Sequence, residues 1–517
     1  MSLTVRQAVL IGTGPMSVDE VIAVARHDHL VEVSEEALAE VDRSAAVIAT
    51  LAADSRPHYG VSTGFGALAT TRIPVERRVA LQESLVRSHA ASTGPEVERE
   101  VVRATMLMRL HTLASGRTGV RRQTVLAYAA LLNSGYTPVV GEYGSLGCSG
   151  DLAPLAHCAL ALMGEGSLRT PNGELVDAAA GLAAAGLEPI SLREKEGLAL
   201  INGTDGMLGQ LVLALDDLRA LVTVADVAVA MSVQGLGGLD GVFAADLQQL
   251  RPHPGQAESA ATIRRVLADS PLIEASRDEA ATTRVQDAYS LRCAPQVHGA
   301  VRDTIDHAAR VAERELCAAV DNPVVTADGR VESNGNFHGA PLGYVLDFLA
   351  IAAADLASIS ERRTDRMLDP ARNRGLHPFL ASDPGVDSGL MIAQYTQAAI
   401  VSELKRLAVP ASVDSIPTSA MQEDHVSMGW SAARKLRRAV DGLARVLAIE
   451  ILTAARAVDM REIPGSPVTQ AVLTTVRERV PAAGPDRFLA PDIAAAVQLV
   501  LDGTLLAAAL GEPNTGR

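Results

Sequence analysis

The chain has 517 residues, 48% of them hydrophobic, which is enough apolar material for a large core and a length that allows roughly two to four domains. A formal net charge of −15 excludes the basic surface on which nonspecific binding to nucleic acid or an anionic membrane depends. Cys148, Cys158, Cys293 and Cys317 form no Cys-x-x-Cys pair, so neither a zinc knuckle nor a disulfide framework is expected, and reduced thiols in the cytoplasm fit best. The apolar run near Met1 is too short for a signal sequence, and no export is expected. Ser34, followed by Glu35 and Glu36, reads as a helix N-cap with acids in the first turn. Leu38, Val41, Ala45, Ile48 and Leu51 then recur at helical spacing, predicting a helix of about five turns that ends before Arg56-Pro57. Pro95 to Ala114 reads as another helix, opened by its proline and closed near Gly116. Met207 to Val233, Val297 to Val320, Pro341 to Leu368 and Met421 to Val458 are longer than ordinary globular helices, and strand-like alternation is scarce. The expected fold is therefore mainly α, built from long rods in a bundle. The very apolar Val227 to Leu239 contains Gln234 and ends at Asp240; it is shorter than a membrane span and reads as buried core. A turn-rich break at Pro464-Gly-Ser-Pro467 precedes a smaller helical part. The expected division is 1–200, 201–460 and 461–517.

Between these rods lie a few glycine-rich or polar stretches that helix formation does not explain. In Glu142-Tyr-Gly-Ser-Leu-Gly-Cys-Ser-Gly-Asp-Leu-Ala-Pro-Leu-Ala-His157, three glycines remove a Cβ where the chain turns or approaches itself, and Pro154 sets φ just inside a helix start. Phosphate binding is disfavoured, because the Gly-x-x-x-x-Gly-Lys-Ser/Thr spacing is absent and no basic residue falls between Glu142 and His157. Tyr59-Gly-Val-Ser-Thr-Gly-Phe-Gly66 is a second such loop. Asn202 sits in an apolar run, where a buried carboxamide needs partners. Gln286, Tyr289 and Arg292 are three residues apart and would share one face of a helical turn; the arginine can clamp a carboxylate through two parallel hydrogen bonds. His, Asp and Glu are not clustered at ligand spacings, so no metal is expected.

Taken together, these blocks resemble the histidine and phenylalanine ammonia-lyase family, from about Tyr59 to at least Arg461. The resemblance implies the long-helix bundle of the aspartase and fumarase superfamily, with a smaller N-terminal part that carries the reactive group. Members of the family make a methylidene-imidazolone (MIO) electrophile from an internal Ala-Ser-Gly, and here the tripeptide is Cys148-Ser149-Gly150. The Gly150 nitrogen attacks the Cys148 carbonyl, and loss of two waters, one of them from the Ser149 hydroxyl, leaves a ring with an exocyclic methylene. The side chain of residue 148 stays outside that ring. By the same resemblance Tyr59 is the base that takes the β-proton, a task requiring positive potential to lower a phenol that normally titrates near pH ~10. Asn202 lies beside the MIO carbonyl, Tyr289 belongs to the catalytic set, Gln286 and Arg292 bind substrate with Arg292 on its carboxylate, and Phe337 of Asn334-Gly-Asn-Phe-His338 lines the site.

Two positions bear on the substrate. Ser88-His89 occupies the family's selectivity site, and a histidine there suits either an imidazole or a phenol ring. Glu423, in Met421-Gln-Glu-Asp-His425, stands where the aromatic lyases and aminomutases have Asn-Gln-Asp. A carboxylate can pair with an imidazole but would be a desolvated, unpartnered charge against a phenyl ring. The resemblance thus implies an ammonia-lyase converting L-histidine to trans-urocanate and ammonia, with another MIO enzyme, a tyrosine or phenylalanine ammonia-lyase or a 2,3-aminomutase, as the alternative. It also implies a homotetramer whose sites are shared between subunits.

Overall fold

The computed structural model describes residues 8–277 and 285–511. The described residues contain twenty α-helices and nine short strands, the strands in four small sheets, so the fold is mainly α as expected. Contacts divide the chain into two compact units. The first comprises residues up to Leu213 with Ala309–Asp347 and Pro410–Arg434; the second comprises Ala214–Ala308, Phe348–Val409 and the residues from Lys435 onward. This differs from the three consecutive segments read from the sequence. Residues 309–347 and 410–434 group with the N-terminal unit because they pack Asp321, Asn322 and Glu423 against it.

In the first unit, strands Ala8–Ile11 and Leu30–Val33 pair in parallel, and their alternation buries Val9, Ile11, Val31 and Val33. Ser34 caps helix Glu35–Ala53 by accepting the Ala37 N–H at 3.1 Å, and Val41, Ile48 and their neighbours turn inward. Helix Arg99–Ala114 is buried continuously from Val101 onward, so that stretch has no polar face and its two arginines, Arg103 and Arg109, must find partners inside. Arg103 donates to Val24 O and Leu132 O at 2.8 and 3.0 Å. Arg109 pairs with Asp205 and donates to the carbonyls of Ala199 and Asn202 at 3.0 and 3.2 Å, which pins the backbone on both sides of residue 202. The expected helix from Pro95 begins instead at Arg99, because Thr93–Glu96 is an extended strand paired with Gly141–Tyr143. An irregularity in that pairing accommodates a proline without an N–H.

In the second unit, long helical stretches meet around buried charge. Glu450 accepts from Ser232 Oγ at 2.8 Å, Ser360 Oγ at 2.6 Å and two nitrogens of Arg363 at 2.5 and 2.7 Å, so both carboxylate oxygens are paired. Removing one member of such a pair leaves an uncompensated buried ion, at a cost of about 3–5 kcal/mol. Asp226 likewise joins His298 Nδ1 at 2.7 Å and Arg302 at 2.8 Å. Gln234 is fully buried and satisfied: it donates to Thr469 Oγ1 at 2.7 Å and accepts from Ser466 N and Ser270 Oγ at 2.6 and 2.9 Å.

Three of the long helices are Asp205–Gly235, Ala340–Leu368 and Gly429–Asp459, and Val297 to Val320 is shortened to Ala294–Glu315. The chain leaves that last helix early and Asp321 reaches Lys195, forming a fully buried ion pair at 2.5 Å. The expected helix from Met421 begins instead at Gly429: Met421 ends a short 3-10 turn and Gln422 to Met428 is not helical, because Val426 and Met428 pack on Cys148. Ala340–Leu368 is long and apolar enough to cross a membrane, and 61% of the window concerned is buried inside the protein.

Candidate active site

Tyr59 stands just ahead of a tight loop closed by an antiparallel bridge between Thr63 and Arg72, with Gly64 N–H donating to Thr71 O and Ile73 N–H to Ser62 O, both at 2.9 Å. Gly60 takes φ +76, and a Cβ there would press on Leu198, Lys195 and Pro323. Buried Gln82 fastens this loop to the segment before Asn202. It donates to Gly60 O at 3.2 Å and accepts the Gly197 N–H at 3.0 Å. The Tyr59 hydroxyl accepts from Gly66 N–H at 3.3 Å, and its ring meets Phe65 edge-on at 6.3 Å. Burial raises the phenol above its ordinary pKa, the Gly66 N–H opposes this, and the charges of Glu423 and Asp321 add to it. Within one chain, then, the potential at Tyr59 is the opposite of what a base needs.

The tripeptide is gripped from two sides. Ser427 Oγ and Gly339 N–H both donate to Gly147 O, at 2.7 and 3.2 Å, and Met428 N–H donates to Leu146 O at 2.9 Å. On the other side Gly150 forms a parallel bridge with Gly203, and Asp151 N–H donates to Gly203 O at 2.7 Å. Gly150 has φ +78, and a Cβ on it would run into the Gly203 backbone. Asp151 accepts from Ser145 Oγ and Met207 N–H, both at 2.8 Å, and its complete burial pushes the carboxyl up to about 7. Helix Leu152–Leu162 starts at once, with Pro154 in its first turn. A ring closed between residues 148 and 150 fits this setting: the closing nitrogen belongs to a glycine for which no other side chain has room.

Tyr59, His89, Ser149, Asn202 and Glu423 line one cavity of about 690 Å³ within the first unit. Asn202 is 2% exposed; its Nδ2 donates to Asn322 O at 3.0 Å, while its Oδ1 has no partner among the described residues. An orphaned buried carboxamide oxygen on the Ser149 cavity is a place for a donor that a bound molecule would bring. His89 Nδ1 lies 2.9 Å from Leu85 O, an acceptor only, so Nδ1 carries the proton and Nε2 is left as an acceptor. Burial lowers the His89 pKa, against smaller opposing effects of Leu85 O and Glu423, which keeps the ring neutral near pH 7. Glu423 accepts from Cys148 Sγ at 3.0 Å, Thr418 Oγ1 at 3.0 Å and Ser149 Oγ at 3.4 Å. It sits in a loop rather than on the solvated helix face that its sequence neighbours suggest.

Other candidates lie elsewhere. Phe337 is half-buried in the turn preceding Gly339 and is not among the residues lining the cavity. Gln286, Tyr289 and Arg292 belong to the second unit and line no part of it either. Nor do these three share a helical face: Ala288 caps a short helix Tyr289–Arg292, leaving Gln286 outside it. Arg292 lies over the exposed Tyr289 ring at 4.6 Å and donates through Nε to Asp287 O at 3.0 Å. Among the described residues, the cavity lining contains no lysine or arginine. Sequence reasoning passed over Asn322, Thr418 and Phe65. The Asn322-Pro323 step signalled only a turn, and Thr418 is distinguished by a contact that spacing cannot reveal. Among the described residues, no three His, Cys, Asp or Glu side chains gather as a metal-holding group.

The family model for aromatic amino acid lyases matches residues 16–478. The chain is 62% identical over 512 residues to a histidine ammonia-lyase of Streptomyces griseus, covering 98% of this chain and 99% of that protein. Among solved structures, histidine ammonia-lyase from Trypanosoma cruzi matches with a TM-score of 0.89 at 38% identity, over 97% of this chain and 95% of that one. Tyrosine aminomutase from Streptomyces globisporus matches with a TM-score of 0.91, also at 38% identity, over 97% and 98%.

Proposed function

The chain belongs to the aromatic amino acid lyase family and is a carbon–nitrogen lyase, and from that premise we propose that it deaminates L-histidine to trans-urocanate and ammonia. The observation that carries the substrate assignment is the placement of His89 and Glu423 on the cavity that also holds Tyr59 and Ser149. Glu423 accepts an imidazole N–H, and the free His89 Nε2 gives the site a second acceptor, so an imidazolium ring finds a partner for each of its N–H groups. A phenyl ring would leave Glu423 desolvated and unpaired.

Cys148, Ser149 and Gly150 would form the MIO group, which when present supplies the electrophile that makes the substrate amine a competent leaving group. Asn202 orients what binds beside Ser149, through the Oδ1 that no described residue satisfies. Tyr59 takes the β-proton, and for this its raised pKa must be brought down by a cation absent from the cavity lining. Arg292 of a second copy of the chain meets both needs: it clamps the carboxylate bidentately and carries positive charge to Tyr59. Gln286, Tyr289 and Phe337 are assigned to the same completed site, in a homotetramer. The four unbridged cysteines support a reducing compartment, the cytoplasm.

The test is ultraviolet detection of urocanate from purified protein and L-histidine, with parallel assays for cinnamate, coumarate and β-amino acids from phenylalanine and tyrosine. Urocanate as the main product is expected. Coumarate or β-tyrosine in its place would overturn the assignment.

A further inference from the structure

The two oxygens of Glu423 have different company. Oε2 accepts from the Cys148 thiol and from Thr418 Oγ1, each at 3.0 Å, whereas Oε1 accepts, among the described residues, only a long bond from Ser149 Oγ at 3.4 Å. Ring closure acts on one of these donors. The Gly150 nitrogen bonds to the Cys148 carbonyl carbon. One water leaves with that carbonyl oxygen and the amide hydrogens of Ser149 and Gly150; a second leaves with the Ser149 hydroxyl and the Ser149 α-hydrogen. Maturation therefore strips the donor from Oε1 and leaves the two donors on Oε2.

We propose that Cys148 is a positioning residue for substrate recognition: its thiol, together with Thr418, anchors Oε2 of Glu423 so that Oε1 is presented to the imidazole N–H. The proposal rests on the histidine reading above. Cys148 is 7% exposed and packs with Val426 and Met428, so the sulfur has little freedom to leave the carboxylate. Burial first, then the Glu423 carboxylate, push the thiol up to about 12, which keeps it a protonated donor. Thr418 is tied to the same place, since Thr418 N–H donates to Glu423 O at 3.0 Å and Glu423 N–H to Thr418 O at 3.3 Å. Without the thiol, Oε2 would keep one donor and the carboxylate could rotate about its χ3, a broad torsion.

The experiment uses the assembled full-length enzyme with Cys148→Ala, Cys148→Ser and Thr418→Val, each also combined with Glu423→Gln. Intact mass reports the loss of two waters independently of turnover. Calorimetry reports the affinity for imidazolepropionate, an unreactive imidazole acid without an amine. Cys148→Ala is expected to lose both waters, to bind the probe about 5- to 10-fold more weakly and to raise KM more than it lowers kcat. Cys148→Ser should recover most of the affinity, and Cys148→Ala should add nothing in the Glu423→Gln background. Thr418→Val, which lies outside the tripeptide, should weaken the probe in the same way even if Cys148→Ala fails to close the ring. Undiminished probe binding in Cys148→Ala and Thr418→Val, or a full additional loss on top of Glu423→Gln, would overturn the anchor while leaving the histidine reading intact. Wild-type probe affinity in Glu423→Gln alone would overturn both.

Discussion

The N–H of Asp151 donates to the carbonyl of Gly203 across 2.7 Å, which ties the residue after the Cys148-Ser149-Gly150 tripeptide to the residue after Asn202. Two loops far apart in sequence are thereby held glycine to glycine, Gly150 against Gly203, with no space for a side chain between them. The tripeptide is positioned by backbone pairing, and Ser149 contributes little to holding it.

Ser149→Ala should therefore abolish deamination while leaving the helical circular dichroism and the melting temperature nearly unchanged. Among the described residues the Ser149 hydroxyl makes one hydrogen bond, the long one to Glu423 Oε1, and ring closure removes it from wild type as well. Intact mass is expected to show wild type lighter than its sequence by two waters and the variant without the serine-derived loss. Turnover by Ser149→Ala close to wild type would falsify the MIO assignment.

Glu423→Ala should reduce kcat/KM for histidine by about 10- to 150-fold, corresponding to the loss of a hydrogen bond to a charged group worth about 1.5–3 kcal/mol. Steady-state kinetics with L-histidine measure this. An unchanged kcat/KM would mean that the carboxylate does not read the ring.

Asp151 predicts a pH dependence of stability. Its carboxyl is raised from 3.8 to about 7 by burial, so the folded chain holds a proton that the unfolded chain has released over that range. The stabilisation is complete below about pH 4 and is lost as pH rises through about 7. The melting temperature of wild type should accordingly carry a downward contribution between pH 5 and 8 that Asp151→Asn lacks. Parallel melting curves across that range check the point, and identical slopes would contradict it.

A site completed by Arg292 from another copy predicts complementation. Tyr59→Phe and Arg292→Ala should each be inactive alone, whereas co-expression should recover partial activity, because some sites in mixed assemblies have both residues intact. The measurement is urocanate production by tetramers verified to contain both chains. Absence of recovery there, or full activity of a monomer at high dilution, would exclude a shared site.

Much of the helical framework is determined by the sequence itself, because an amphipathic or continuously apolar helix has a local period. Ser34 with its two acids and the spacing from Leu38 to Leu51 mark Glu35–Ala53 almost to the residue, and Met207 to Val233 lies within Asp205–Gly235. Glycines in the Tyr59 and Ser149 loops likewise signal positive φ, found at Gly60, Gly147 and Gly150. Pairing between distant segments has no such period, and there the tertiary structure decided. Pro95 extends because Gly141–Tyr143 is there to pair with its strand, and Gln422 to Met428 leaves the helical pattern because Val426 and Met428 pack on Cys148. The same holds for the cavity. That Tyr59, His89, Asn202 and Glu423 face Ser149 together, while Gln286, Tyr289 and Arg292 do not, depends on contacts between residues as much as 275 positions apart, which no reading of neighbours along the chain can supply.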